Sequence, residues 1–335
     1  MGHDERRKGG FARRRGGRGE LEGCGLEGGV LNCELDLPVG FRAGDVLAFH
    51  LRDSLQVAEQ VQGNCLRKGL AWSGRAACLE IVFEGGRAVA RLDVDGPLSP
   101  SDGLLLTGMV RRMLGLTQAV EDFEQRWRAH PQVGRLIAAH PGLRVPLAAT
   151  PFEALSWAVT GQQISVAAAL TIRRRLVEAV GLRHTSGLFC YPDAAGVQAL
   201  GEPELRAAGF SRAKALTLLT LSGLLVSGDL SLDAWVEKPP IDDIQACLLR
   251  IRGIGPWTIN YALLRGFGWL DGSLHGDVAV RRGLQHLLES PVPVSPAETE
   301  RFLAGFSPWR ALVAAHLWAL DTAVSRASGG APKLG

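Results

Sequence analysis

No two cysteines of this 335-residue chain form a CxxC pair, and none of the six stands at metal-ligand spacing from a histidine. That argues against structural zinc and against an iron–sulfur cluster held by four thiolates. Scattered thiols suit a reducing compartment. No apolar run reaches the ~18–20 residues that a membrane helix needs. The basic N-terminus has no apolar stretch behind it and is no signal peptide. The expectation is a soluble cytoplasmic protein with no membrane partner. Internal repeats are absent as well.

The body of the chain is also short of positive charge. Residues 1–20 carry seven Arg and Lys side chains against three acidic ones, yet the whole chain nets only +3. Beyond its first twenty residues the chain is therefore slightly acidic. A protein gripping nucleic acid by bulk charge would be basic throughout. Any such grip here must come from a local surface or from backbone groups.

What is present divides the chain. Residues 1–29 are rich in Gly and Arg and read as a solvated tail. Residues 30–115 hold short apolar runs at 30–35, 66–71, 77–83 and 88–94. Glu84-Gly85-Gly86 is a hairpin turn between the last two, and a helical stretch covers 45–55. This is a small α+β domain on an antiparallel sheet. Residues 116–325 follow helical periodicity, and 326–335 read as a second flexible tail. Thr150-Pro151-Phe152-Glu153 has the form of a capping box with Pro in the first turn. Ser211 opens a helix over 211–226. Asp242 and Asp243 sit at the positive end of the next helix, whose Ile241, Ile244 and Leu248, with Ile251 beyond, share one face. The fold class is α+β, a sheet domain followed by an all-α core.

Residues 241–266 hold the most specific feature. Helix, Arg252-Gly253-Ile254-Gly255 turn and second helix beginning Pro256-Trp257-Thr258 form a helix-hairpin-helix. Gly253 and Gly255 are expected to take backbone angles closed to other residues. Amides at the second helix's N-terminus can then receive a phosphate without lysines. A Gly-x-Gly turn alone is an ordinary helix connection. The longer pattern, followed by Leu274-His275-Gly276-Asp277, is not.

That pattern resembles the helix-hairpin-helix DNA glycosylase superfamily, and within it the bacterial 3-methyladenine DNA glycosylase II family. Gly161-Gln162-Gln163-Ile164-Ser165, His140-Pro141-Gly142-Leu143, Gly209-Phe210-Ser211-Arg212 and Pro308-Trp309-Arg310 extend the likeness over roughly residues 30–325 in one order. The resemblance implies an enzyme that flips an alkylated purine from duplex DNA and hydrolyses its N-glycosidic bond. Asp277 matches the catalytic carboxylate, which would stabilise positive charge on the sugar. Trp257, Tyr261 and Trp318 match walls of the base pocket, with Phe49 contributed by the first domain. A cationic base gains from such rings. Gln163 falls at the wedge position, where some relatives carry Leu; a hydrogen-bonding role within its turn is the alternative. Gly253, Gly255 and Thr258 would meet the DNA backbone. The carbonyls of Leu249, Ile251 and Ile254 match a monovalent-cation site that helps hold DNA.

Trp257 stands where strand-nicking relatives place a Schiff-base Lys, so the abasic site should be left uncut. No cysteine follows Cys247, so the iron–sulfur cluster of some relatives is not expected. No cofactor is required. The chain would act as a monomer on damaged duplex DNA, associated with the nucleoid. His275 reads as a surface residue, and Arg173-Arg174-Arg175 as a solvated face. A non-catalytic lesion-binding protein and a glycosylase for oxidised or mismatched bases stay open as alternatives.

Overall fold

The computed structural model describes residues 24–27 and 29–327. The expected tails at 1–29 and 326–335 fall mostly outside that range, with two corrections. Cys24–Glu27 is a strand, β1, and residues 326–327 still belong to the last helix. The Arg-rich composition of the first twenty residues had masked a short pairing segment behind it.

Six antiparallel strands form one sheet in the order β1-β2-β6-β5-β4-β3. After β1 come β2 (Val30–Asp36), β3 (Glu59–Gln62), β4 (Cys65–Trp72), β5 (Arg75–Glu84) and β6 (Arg87–Val94). β6 alternates cleanly: Ala88, Ala90, Leu92 and Val94 are buried, while Arg87, Val89 and Arg91 face outward, the pattern of a strand with one face on a core. Gly85 and Gly86, both at positive φ, close the expected hairpin and place Glu84 opposite Arg87. The expected helix at 45–55 is α1, Ala43–His50, shorter at its C-terminal end. The strand β3 was missed because Glu59-Gln60-Val61-Gln62 has a single apolar residue. Helix α2 (Asp102–Met113) lays Leu106, Met109, Val110 and Met113 against the sheet's apolar face.

From residue 120 the chain is helical. Five helices that matter to the site are α5 (Pro151–Gly161), α6 (Val166–Val180), α8 (Arg212–Ser227), α9 (Ile241–Leu249) and α10 (Pro256–Phe267). Two more are α11 (Val278–Leu287) and α13 (Arg310–Ala327). Between these fall α3 (Val120–Trp127), α4 (Val133–Ala139), α7 (Ala194–Ala207) and α12 (Pro296–Ala304). Residues 151–160 of α5 are buried on every side, so α5 is the central element of the helical core. Among the described residues no helix is long and apolar enough to cross a membrane.

The two halves meet through backbone and through charge. Residues 189–191 run against β4, with Tyr191 N–H donating to the Gly69 carbonyl at 2.9 Å and Ala71 N–H to the Tyr191 carbonyl at 3.1 Å. A Cβ on Gly69 would stand 2.1 Å from the Phe189 carbonyl oxygen, so the approach requires glycine. Beside it lies a fully buried ionic cluster. Lys68 Nζ donates to Glu59 Oε1 (2.6 Å) and to Glu153 Oε1 (2.7 Å). Arg173 reaches Glu59 Oε2 at 3.2 Å and Glu153 Oε1 at 3.1 Å.

This cluster corrects two expectations. Arg173 is buried rather than solvated, because the two glutamates neutralise it; Arg174 is half-buried and Arg175 exposed. The capping box at Thr150 is only half made. Thr150 Oγ1 accepts from Glu153 N–H at 3.1 Å, but the Glu153 carboxylate turns to Lys68, Arg173 and the Ala149 amide instead. Burial pushes Glu59 and Glu153 upward, and their buried cations outweigh it, leaving Glu59 well below and Glu153 below the usual glutamate range.

Candidate active site

The helix-hairpin-helix forms as the sequence predicts, as α9, a turn over 250–255 and α10. Ile244, Leu248 and Ile251 are buried on one face. Gly253 has φ +93°, and a Cβ there would lie 2.2 Å from Thr217 Oγ1, which itself donates to the Arg252 carbonyl at 2.8 Å. Glycine is therefore required for two reasons. Gly255 is different: at φ −114° and ψ 178° its backbone is extended and open to any residue. The expected reason for Gly255 is thus corrected. A Cβ there would meet nothing within 4 Å, so glycine leaves the N-terminus of α10 uncovered. Pro256 occupies its first turn.

Thr258 is buried, and its hydroxyl accepts from Gln162 Nε2 at 2.9 Å, so its side chain braces the turn and only its first-turn amide is left for a ligand. The same Gln162 amide donates to the Gly253 carbonyl at 2.9 Å. Lys214 Nζ donates to the carbonyls of Thr160 (2.8 Å) and Gln162 (2.7 Å). The turn after α5 is thus tied to the hairpin and to α8. Gln163 at its tip is exposed with φ +57°, an unusual backbone state for a residue with a side chain.

Asp277 is the N-cap of α11 and is 3% exposed. Its Oδ1 accepts from the amides of Ala279 (2.9 Å) and Val280 (3.1 Å) and from Trp318 Nε1 (3.0 Å). Its Oδ2 accepts from Trp257 Nε1 at 3.1 Å. The two indoles therefore hold the carboxylate in one orientation. Burial pushes the Asp277 carboxyl above the usual aspartate range, against these four donors, which pull it down. His275 turns elsewhere: its Nδ1 is 2.9 Å from Ser273 Oγ, and Glu300 lies at 4.0 Å.

A cleft of about 480 Å³ opens over Asp277, within the range of roughly 300–1,000 Å³ typical of ligand sites. Trp257 and Tyr261, one turn apart on α10, pack with ring centroids 5.4 Å apart, and Trp318 from α13 lies 6.3 Å from Tyr261. Phe49, at the end of α1, completes the wall from the first domain. All five residues expected at the pocket are brought together. Sequence reasoning missed Trp157, Arg52 and Arg265, which also line it. Arg265 follows Tyr261 by one helical turn, a spacing that would have found it. Arg52 belongs to a loop and carries no such periodicity.

Similarity to known proteins agrees with this geometry. Residues 34–150 match the AlkA N-terminal domain, and residues 156–308 match the HhH-GPD superfamily base excision DNA repair protein model. DNA-3-methyladenine glycosylase 2 of Escherichia coli is 29% identical over 198 residues, covering 57% of this chain and 67% of that one. A DNA-3-methyladenine glycosylase of Bacillus subtilis is 23% identical over 289 residues, covering 85% and 95%, so that likeness spans both halves. The solved 3-methyladenine DNA glycosylase from Archaeoglobus fulgidus superposes with a TM-score of 0.72 over 86% of this chain and 98% of that one; at 19% identity this shows a shared fold. The chain belongs to the HhH-GPD superfamily of base excision DNA repair proteins, with an AlkA N-terminal domain ahead of the helical core.

Proposed function

We propose that this DNA glycosylase takes alkylated purines of the 3-methyladenine and 7-methylguanine type from duplex DNA and hydrolyses the N-glycosidic bond, leaving an abasic site. The observation that carries this reading is the desolvated Asp277 carboxylate, held by two indoles at the floor of an aromatic cleft. Capping α11 accounts for the bonds of Oδ1 to the Ala279 and Val280 amides, but a protein that only bound lesions would not need the same carboxylate held by two indoles beneath an aromatic cleft.

The steps follow from the residues. First-turn amides of α10, uncovered by Gly255, grip a backbone phosphate. Gln163 enters the stack as the lesion leaves it, and its strained φ keeps the side chain presented. The base stacks among Trp257, Tyr261 and Trp318. As the C1′–N bond breaks, positive charge grows on the sugar, and the ionised Asp277 stabilises it in a site that excludes water. Water adds to C1′ and gives up its proton to the Asp277 carboxylate, which passes it to solvent. A cationic base departs as a neutral molecule, so no general acid is required. Among the described residues lining the cleft there is no lysine, so a Schiff base has no donor there.

The reading needs no resident cofactor. The carbonyls of Leu249, Ile251 and Ile254 are hard oxygen donors suited to an alkali cation, and Ile251 keeps a second lone pair while accepting from Ile254 N–H at 3.1 Å. Such a cation would add positive charge beside the phosphate.

The test is release of free bases from methylated duplex DNA, followed by mass spectrometry, for wild type and Asp277→Asn. Release of 3-methyladenine or 7-methylguanine by the wild type, lost about a thousandfold in the variant, supports the reading. The factor follows from removing roughly 4 kcal/mol of charge stabilisation at 4 Å in an effective dielectric of about 20. DNA binding without base release by either protein would refute it.

A further inference from the structure

The turn between α5 and α6 carries Gln163, and its backbone is held from outside in an unusual state. Gln162 has φ −54° and ψ 125° and Gln163 has φ +57°, while Ile164 N–H donates to the Gly161 carbonyl at 3.4 Å. This is the form of a type II β-turn, whose third residue favours Gly or Asn. Gln163 fills that third position, so the turn that presents its side chain is not the one its own backbone prefers. Such a state persists where the surrounding structure fixes it.

Two side chains supply that hold. Gln162 Nε2 donates to the Gly253 carbonyl and to Thr258 Oγ1, both at 2.9 Å. A carbonyl can accept but not donate, so the amide stands with its nitrogen toward the hairpin. From α8, Lys214 Nζ donates to the carbonyls of Thr160 (2.8 Å) and Gln162 (2.7 Å), which lie at the C-terminal end of α5 where helical partners run out. Thr217, nearly one turn further along α8, bonds the Arg252 carbonyl at 2.8 Å. The turn that carries Gln163 and the turn that opens α10 therefore share one polar joint. Lys214 fastens the first turn to α8 and Thr217 the second, while the Gln162 amide bonds the two turns to each other.

We propose that Gln162 is a positioning residue that couples the hairpin's hold on the phosphate backbone to the entry of Gln163 into the base stack. The proposal rests on the glycosylase reading above, with Gln163 as the wedge. Hairpin amides hold the strand whether or not Gln163 is inserted, so they supply affinity. Extruding a paired base costs stacking and pairing energy, and the group that fills the gap must stand at a set distance from the gripped phosphate. The two bonds of the Gln162 amide set that distance, because they run from the gripping turn to the residue before the wedge. Without them Gln163 relaxes toward ordinary backbone angles, and the strand is gripped by a protein whose wedge no longer faces the gap. The step lost is extrusion rather than bond cleavage, since Asp277 keeps its four donors. A lesion without a partner base is extruded at less cost and so depends less on the wedge.

The experiment places 7-methylguanine opposite cytosine in one duplex and opposite an abasic-site analogue in another. It measures single-turnover base release, and duplex affinity by fluorescence anisotropy. A third duplex with 2-aminopurine beside the lesion reports extrusion by its fluorescence, without any chemistry. In Gln162→Met, which keeps the length and loses both bonds, release from the paired duplex should fall ~10–100-fold, the factor that two lost hydrogen bonds set. The 2-aminopurine signal should fall with it, while affinity and release from the unpaired duplex hold near the wild type. Gln162→Asn, one methylene too short to reach both oxygens, should show the same split to a lesser degree, so the proposal can be judged even where Gln162→Met folds poorly. In a Gln163→Gly background Gln162→Met should add no further loss on the paired duplex, because no wedge is left to place. Equal loss on both duplexes, a loss of affinity as large as the loss of release, or a full further loss in the Gln163→Gly background overturns the proposal, as does wild-type behaviour of Gln162→Met. If the wild type releases no base from either duplex, the glycosylase reading fails, and the 2-aminopurine signal still decides the coupling: a fall in Gln162→Met supports it and no change overturns it.

Discussion

Replacing Lys68 by Met should cost this protein more stability than any surface change, and the loss should depend on pH in a direction that identifies its cause. Lys68 is fully buried and lies 2.6 and 2.7 Å from two carboxylates. Met fills similar space but leaves Arg173 as the one cation shared by Glu59 and Glu153, with His50 Nδ1 still 2.9 Å from Glu59 Oε1. Removing one partner from such a cluster costs roughly 3–5 kcal/mol, a large part of the 5–15 kcal/mol that holds a typical protein folded. In a chain of this size that lowers the melting temperature by roughly 4–7 °C.

The pH dependence follows from the carboxyls. In the wild type both glutamates are held below their unfolded values, so their contribution is complete above the unfolded pKa and lost as pH falls through the folded one. In Lys68→Met one glutamate is pushed above its unfolded value. Its charge then destabilises the fold at pH 7, and the penalty shrinks as pH falls toward 5. Thermal melts by circular dichroism at pH 7 and pH 5 should show a wide gap between the two proteins at pH 7 and a narrow one at pH 5. Adding Glu59→Gln should restore most of the loss, because Glu153 and Arg173 then form a neutral pair. A loss under about 1 kcal/mol at pH 7, or one of equal size at both pH values, would refute the reasoning.

Two further expectations concern the site. Because burial raises the Asp277 carboxyl and ionised Asp277 is the active form, base release should fall on the acid side at a pH above that of an ordinary aspartate, about 3.9; a pH–rate profile with no acid limb above pH 4 would contradict this. Gly253→Ala and Gly255→Ala should behave differently. The first forces a Cβ against Thr217 at positive φ, should cost roughly 1–3 kcal/mol, and should show as a lower melting temperature and weaker duplex binding by fluorescence anisotropy. The second should melt like the wild type, so any fall in its duplex binding reports phosphate approach alone.

Much of the site was legible because its parts are local. Trp257 and Tyr261 stand one turn apart on a helix, Asp277 follows a Gly-containing loop and caps the next helix, and the hairpin is a contiguous segment. The role of each of these residues came from the resemblance, and so did those of Trp318 and Phe49, which nothing in their own neighbourhoods marks. The buried cluster was illegible for a physical reason. Arg173 sits in a run of three arginines that reads as solvated, and its partners come from distant segments, Glu153 lying 20 residues away and bonding in turn to Lys68, 85 residues from it. Arg52 was missed likewise, because its effect depends on a cavity that only the assembled fold creates. In the fold, β3 was lost for want of apolar residues, and β1 because it adjoins a stretch dominated by Gly and Arg.

The ionic cluster also bears on how interchangeable the two halves are. Glu59 and Lys68 face each other directly across β3 and β4, while Glu153 and Arg173 both belong to the helical part. Each half thus brings one acid and one base, and each is electrically balanced by itself. Parted, either surface would be an ordinary wet ion pair, with no stranded charge to punish exposure. For the same reason, a relative's sheet domain could be grafted onto this core provided the incoming strands carry a matched pair at these two positions.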